Sequence, residues 1–98
     1  MNEKNIQYYD NEKFKICQIF QKDFSSYVYI VLDKKSEKAC ILDPDIDNID
    51  YYIFLIKKLK YKLALAIDTH IHADHVSSLK YLREKKVRAV MGYSENVK

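Results

Sequence analysis

Five apolar residues, Leu63-Ala64-Leu65-Ala66-Ile67, lead through Asp68-Thr69 into His70-Ile71-His72-Ala73-Asp74-His75. A short continuous apolar run suits a strand covered on both faces, at the centre of a layered α/β domain. The small Ala64 and Ala66 share one side of such a strand and let a neighbouring element approach. The residues after Ile67 then emerge at the carboxyl end of a central strand, where open α/β sheets place their sites.

All three histidines of the chain fall within residues 69–75. In extended or looping backbone His70 and His72, at i and i+2, point to one side and can grip one cation as neighbours. Asp74 and His75 are adjacent, so they point elsewhere, to a second cation or a bound water. The pattern differs from H-E-x-x-H, in which i and i+4 place both imidazoles on one helix face. The plain alternative is a polar loop with chance histidines. It leaves unexplained why every imidazole collects directly after an apolar run, which metal ligation explains. His70, His72, Asp74 and His75 are the candidate metal ligands; no residue stands out as a catalytic acid, base or nucleophile.

The rest of the chain frames this segment. Residues 1–12 carry few aliphatics and read as a flexible lead-in. Phe14 to Gln21 alternates with β-forming residues, and Tyr27 to Leu32 is almost wholly β-branched or aromatic. Ala39 to Leu42 makes a third short strand, after a charged hairpin loop over 33–38 and before Asp43-Pro44. From Asp45 to Lys60 the period changes: Ile49, Tyr52, Ile53, Ile56 and Leu59 trace one helix stripe. Asp45 or Asp47 suits the helix start, and Lys57, Lys58 and Lys60 suit its negative end. The acids at 43, 45, 47 and 50 lack the spacing and central glycine of a calcium loop. Val76 to Lys86 predicts a second helix, with Val76, Leu79 and Leu82 inward, and Arg88 to Met91 a last strand ended by Gly92. The predicted order is βββ-α-β-α-β in one α/β domain spanning 1–98.

Bulk properties exclude several classes. Ninety-eight residues make one small domain at most. A hydrophobic share of 48% and a charged share of 32% are those of a globular protein. A net charge of +3, with acids interleaved among the lysines, argues against a nucleic-acid partner. No apolar run is long enough for a membrane span, and the polar amino terminus is no signal peptide, so a cytoplasmic location is expected. Cys17 and Cys40 form no C-x-x-C pair and read as small buried apolar residues.

The run Thr69-His70-Ile71-His72-Ala73-Asp74-His75 resembles the H-x-H-x-D-H signature of the metallo-β-lactamase superfamily. Alanine before Asp74 and Val76 after His75 look like the persulfide dioxygenase branch, which is similar to glyoxalase II. Ser25-Ser26-Tyr27-Val28-Tyr29, Ile41-Leu42-Asp43-Pro44 and Val90-Met91-Gly92 fit too, so the resemblance covers roughly residues 14–95. It implies the amino-terminal half of an αββα sandwich. In the dioxygenase version it implies one ferrous iron held by two histidines and a carboxylate, with His70 a ligand. There His72, Asp74 and His75 give polar support, and the substrate is a glutathione-derived persulfide. The hydrolase version implies two zinc ions and a hydroxyacylglutathione thioester. There His70 and His72 serve one metal, and Asp74 and His75 the second.

The chain departs from that pattern in length and in ligands. A complete domain is about twice as long, and its later part brings further His and Asp ligands. Here no histidine follows His75, and Glu84 and Glu95 are the only acids after Asp74. The expectation is a truncated metalloenzyme half without turnover as an isolated chain, completed by a second half-domain or a homo-oligomer. Its alternative is a non-catalytic, partner-binding remnant. Ser77-Ser78 stands where many superfamily members carry glycine, which questions a tight turn into the second helix.

Overall fold

A computed structural model describes residues 5–69 and 73–91 of the chain. Its strands are β1 (Ile6–Asp10), β2 (Phe14–Gln21), β3 (Ser26–Asp33), β4 (Lys38–Leu42), β5 (Lys62–Asp68) and β6 (Arg88–Met91). Its helices are α1 (Ile49–Lys58), between β4 and β5, and α2 (Ala73–Glu84), between β5 and β6. The six strands form one sheet in sequence order, β1-β2-β3-β4-β5-β6. β1 to β4 are antiparallel neighbours, whereas β5 and β6 add in parallel. Parallel neighbours need a crossover connection, and α1 and α2 supply it.

The sheet is α/β as expected, but it has one strand more than the pattern βββ-α-β-α-β. The lead-in expected over 1–12 contains β1. Only Ile6 of that strand is buried, and the remainder lies exposed along the sheet edge. Such a strand has too little apolar alternation to announce itself. Its pairing is set instead by Asn11, whose Oδ1 accepts from the N–H of Lys13 and of Phe14, both at 2.8 Å. That side-chain turn folds β1 back onto β2.

Two helix starts also differ. A 3-10 turn, Ile46–Asn48, precedes α1, and neither Asp45 nor Asn48 makes a side-chain cap. Asp45 is instead buried, 1% exposed, with its carboxylate turned inward. It accepts from Gln21 Nε2 at 3.2 Å, from Asn48 Nδ2 at 2.7 Å and from the Tyr52 hydroxyl. A buried carboxylate is tolerated only when its oxygens are this well occupied. α2 begins at Ala73 and runs through Ser77-Ser78 without a break. Serine is compatible with a helix interior, so glycine is not required there.

One core lies between the helices and one face of the sheet. A row of paired residues crosses that face: Cys17, Ile30, Ile41, Ala66, Ala89. The row shrinks from isoleucine to alanine where the helices cross, so α1 and α2 can lie close to β5 and β6. Ile49, Tyr52, Leu55 and Ile56 of α1, and Leu79 and Leu82 of α2, fill the layer above it.

The opposite face has no helix among the described residues. Two rows cross it: Gln7, Gln18, Tyr29, Leu42, Ile67, Val90, and Tyr9, Ile16, Val31, Cys40, Leu65, Arg88. Towards β1 the rows are polar, tied by Tyr9 Oη to Gln18 Oε1 at 3.1 Å and Gln18 Nε2 to Tyr29 Oη at 3.4 Å. Towards β6 they are aliphatic, apart from Arg88 at the end of the second row. The expectation that Leu63 to Ile67 is covered on both faces therefore fails on this side. Leu65 and Ile67 are only half-buried.

Candidate functional site

The carboxyl ends of β4 and β5 lie side by side, with Leu42 paired to Ile67. Just past Leu42 the chain turns at Asp43, whose φ of 56° is left-handed. Aspartate tolerates this region better than most residues because its short side chain can bond locally. The turn lets the Asp43 N–H donate to the Ile67 carbonyl at 2.8 Å. It also aims the Asp43 carboxylate across the gap at Thr69. Oδ1 accepts from the Thr69 N–H at 2.8 Å, and Oδ2 accepts from Thr69 Oγ1 at 2.7 Å.

Thr69 is the last described residue before the histidines. Asp43 therefore fixes both backbone and side chain at the point where the chain leaves the sheet. Both of its carboxylate oxygens are used in this way, which makes Asp43 a brace. In the sequence Asp43-Pro44 marks the stop of a strand and a segment of the family resemblance, with no partner assigned to the carboxylate. The available signal was an aspartate ending the strand beside the one that carries the histidines. Pro44 and Asp68, flanking the brace, are fully buried.

Of the candidate ligands, His70 and His72 lie outside the described residues. Asp74 and His75 fall in the first turn of α2, the element that follows β5 in the chain. A carboxylate in the first helical turn is favoured by the positive end of the helix dipole. Among the described residues no cluster of three or more His, Cys, Asp or Glu forms elsewhere. The donor set of the motif, imidazole nitrogens with one carboxylate, suits iron or zinc and not calcium or magnesium.

The thiols stand apart from this chemistry. Burial pushes the Cys17 thiol up to about 11, and burial raises Cys40 as well. Both are reduced and protonated at neutral pH, which fits the reading of small apolar residues. They also sit on opposite faces of the sheet. No helix among the described residues is long and apolar enough to cross a membrane.

Comparison with known proteins agrees with the geometry. No family model matches the chain. It is 36% identical to the mitochondrial persulfide dioxygenase ETHE1 of Mus musculus over 66 residues, which are 67% of this chain and 26% of the mouse protein. It is 34% identical to the hydroxyacylglutathione hydrolase of Pelagibacter ubique over 68 residues, 69% of this chain and 28% of that one. The solved structure of ETHE1 from Myxococcus xanthus superposes with a TM-score of 0.70 at 31% identity, covering 80% of this chain and 35% of that chain. Solved metallo-β-lactamases share the fold. The chain thus spans about a quarter of the length of the curated relatives it matches. With the sheet, the motif position and these likenesses in agreement, the chain belongs to the metallo-β-lactamase superfamily.

Proposed function

We propose that the chain contributes the first metal-binding segment of a persulfide dioxygenase-like centre. His70 is a ligand to ferrous iron, and His72, Asp74 and His75 hold and orient its surroundings. The observation that carries this reading is the Asp43–Thr69 brace, which anchors the chain one residue before His70. The similarity to a persulfide dioxygenase supports iron and a glutathione-derived persulfide substrate. When bound, the iron supplies an oxygen-activating centre with open coordination positions. The residues of this chain hold imidazole nitrogens at the strand mouth and keep that mouth from splaying.

The 98-residue polypeptide is expected to bind metal weakly and to turn nothing over, because a site short of ligands cannot fix open positions. Anaerobic titration with ferrous iron, followed by absorption and metal analysis, tests the reading. Expected is binding on the order of one iron per chain that is lost in His70→Ala. Iron binding unchanged by His70→Ala would overturn it. Oxygen uptake with glutathione persulfide is expected to be nil. The similarity to a hydroxyacylglutathione hydrolase favours a zinc alternative, in which two zinc ions bind and both His70→Ala and His75→Ala lose one of them.

A second reading rests on the aliphatic half of the open sheet face. Val31, Cys40, Leu42, Leu65, Ile67 and Val90 make a contiguous apolar strip, which suits a surface that a second half-domain or another copy of the chain covers.

A further inference from the structure

Far from the histidines, at the opposite end of the sheet, the two helices finish side by side. α1 closes with the Tyr61 N–H donating to the Ile56 carbonyl at 3.1 Å and Lys60 left-handed, φ 68°. α2 closes in the same way, Val87 N–H to the Leu82 carbonyl at 2.9 Å, with Lys86 at φ 66°. Each closure turns the chain straight into the next parallel strand. The result is one basic pole: residues 57–62 and 83–88 hold eight of the chain's 17 Lys and Arg, against the single acid Glu84.

Between the helix ends lies a cavity of about 290 Å³. Ile53, Ile56, Tyr61, Leu63 and Val87 line it together with the exposed Lys57, Lys62 and Lys85. The volume is at the small end of the range for small-molecule sites.

Lysines at helix ends have an ordinary explanation, since they offset the negative pole of the helix dipole. The magnitudes decide against it as a full account. Two helix termini together present about one negative charge. Lys57, Lys62 and Lys85, which line the cavity, exceed that. The surplus surrounds an apolar hollow, so the charge complement is an anion that carries its own apolar body.

We infer that this cavity binds a small anionic amphiphile, a medium-chain carboxylate, with its tail on Ile53, Ile56, Leu63 and Val87 and its head among Lys57, Lys62 and Lys85. The site is distinct from the histidine segment. β5 separates them, and its seven residues span roughly 20 Å at about 3.3 Å each. It stands whether or not the iron reading holds.

The test is titration of the isotope-labelled 98-residue chain with octanoate below its micelle concentration, read by amide NMR shifts. Saturable shifts are expected at residues 53–63 and 85–87, with the sheet's open face silent. Octylamine is expected to produce none of these shifts. The doubly reversed Lys57→Glu, Lys85→Glu chain should bind about tenfold more weakly, and high salt should mimic that loss. Ile53→Trp, which fills the hollow and keeps the charges, should abolish binding while circular dichroism stays native. Equal shifts from octylamine would overturn the proposal. So would shifts confined to the open sheet face, or binding to phosphatidylglycerol vesicles but not to octanoate.

Discussion

Two aspartates carry most of the distinctions between what this sequence shows and what it conceals. Asp43, Asp45 and Asp47 look alike in the string, as a loose acidic run before a helix. In the fold Asp43 is a brace, Asp45 is a buried acceptor, and neither caps α1. Asp43 and Asp45 are hard to separate in the sequence, because each has a partner far away in it: Thr69 for Asp43, and Gln21, beside the nearer Asn48 and Tyr52, for Asp45. The histidines stand out in the sequence because their donor groups are concentrated in a few consecutive residues. Asp43→Ala is expected to free Thr69 and lower metal affinity about 10–100-fold, the usual cost of losing an orienting partner, measured by competition with a chelator. Tyr52→Phe is expected to cost about 1–3 kcal/mol in urea denaturation, since it strips a donor from a buried carboxylate.

Tyr52 also sets a pH limit. Burial, and then the Asp45 carboxylate, raise its phenol above the ordinary value of 10.0. A raised value in the folded state means that the protonated form is the one the fold favours. The stability it contributes is whole below about pH 10 and drains away as pH rises further. Unfolding midpoints measured across alkaline pH should therefore fall more steeply for the natural chain than for Tyr52→Phe.

Among the elements, those with strong periodicity are where sequence placed them. β2, β3, β4 and β5 follow β-branched and apolar alternation, and α1 follows its stripe. β1 was hidden because an edge strand with one buried residue has no pattern to read. α2 starts earlier than its apolar stripe suggests, because Ala73, Asp74 and His75 precede the first residue of that stripe, Val76. The helix ends carry an unusual choice: lysine, not glycine, takes the left-handed position at 60 and at 86. A side chain there costs about 1–2 kcal/mol relative to the preferred region. Lys60→Gly is expected to raise the urea midpoint, by up to about 1 kcal/mol in stability, with an unchanged slope. A lower midpoint would show that the Lys60 stem contributes packing that outweighs its backbone strain.

For the whole molecule the decisive asymmetry is between the two sheet faces. One carries the packed core under α1 and α2, and Ile41→Ala within it is expected to cost about 2–5 kcal/mol. The other leaves Leu42, Leu65 and Ile67 half-buried, with Val90 39% exposed. Light scattering of the chain should show apparent mass rising with concentration, and Val31→Lys should suppress that rise. A dispersed monomer at high concentration would remove the case for a covered face.

The sheet's strict agreement between spatial and chain order bears on how the polypeptide acquires its shape during synthesis. Among the described residues each strand pairs with the one made just before it, so none of these strands waits for a distant partner. Loop-closure costs stay low through the first four strands, and each later one arrives with its own helix. A ribosome can thus release these strands in native order, amino end first, with β1 to β4 paired before the Asp43–Thr69 bonds can form.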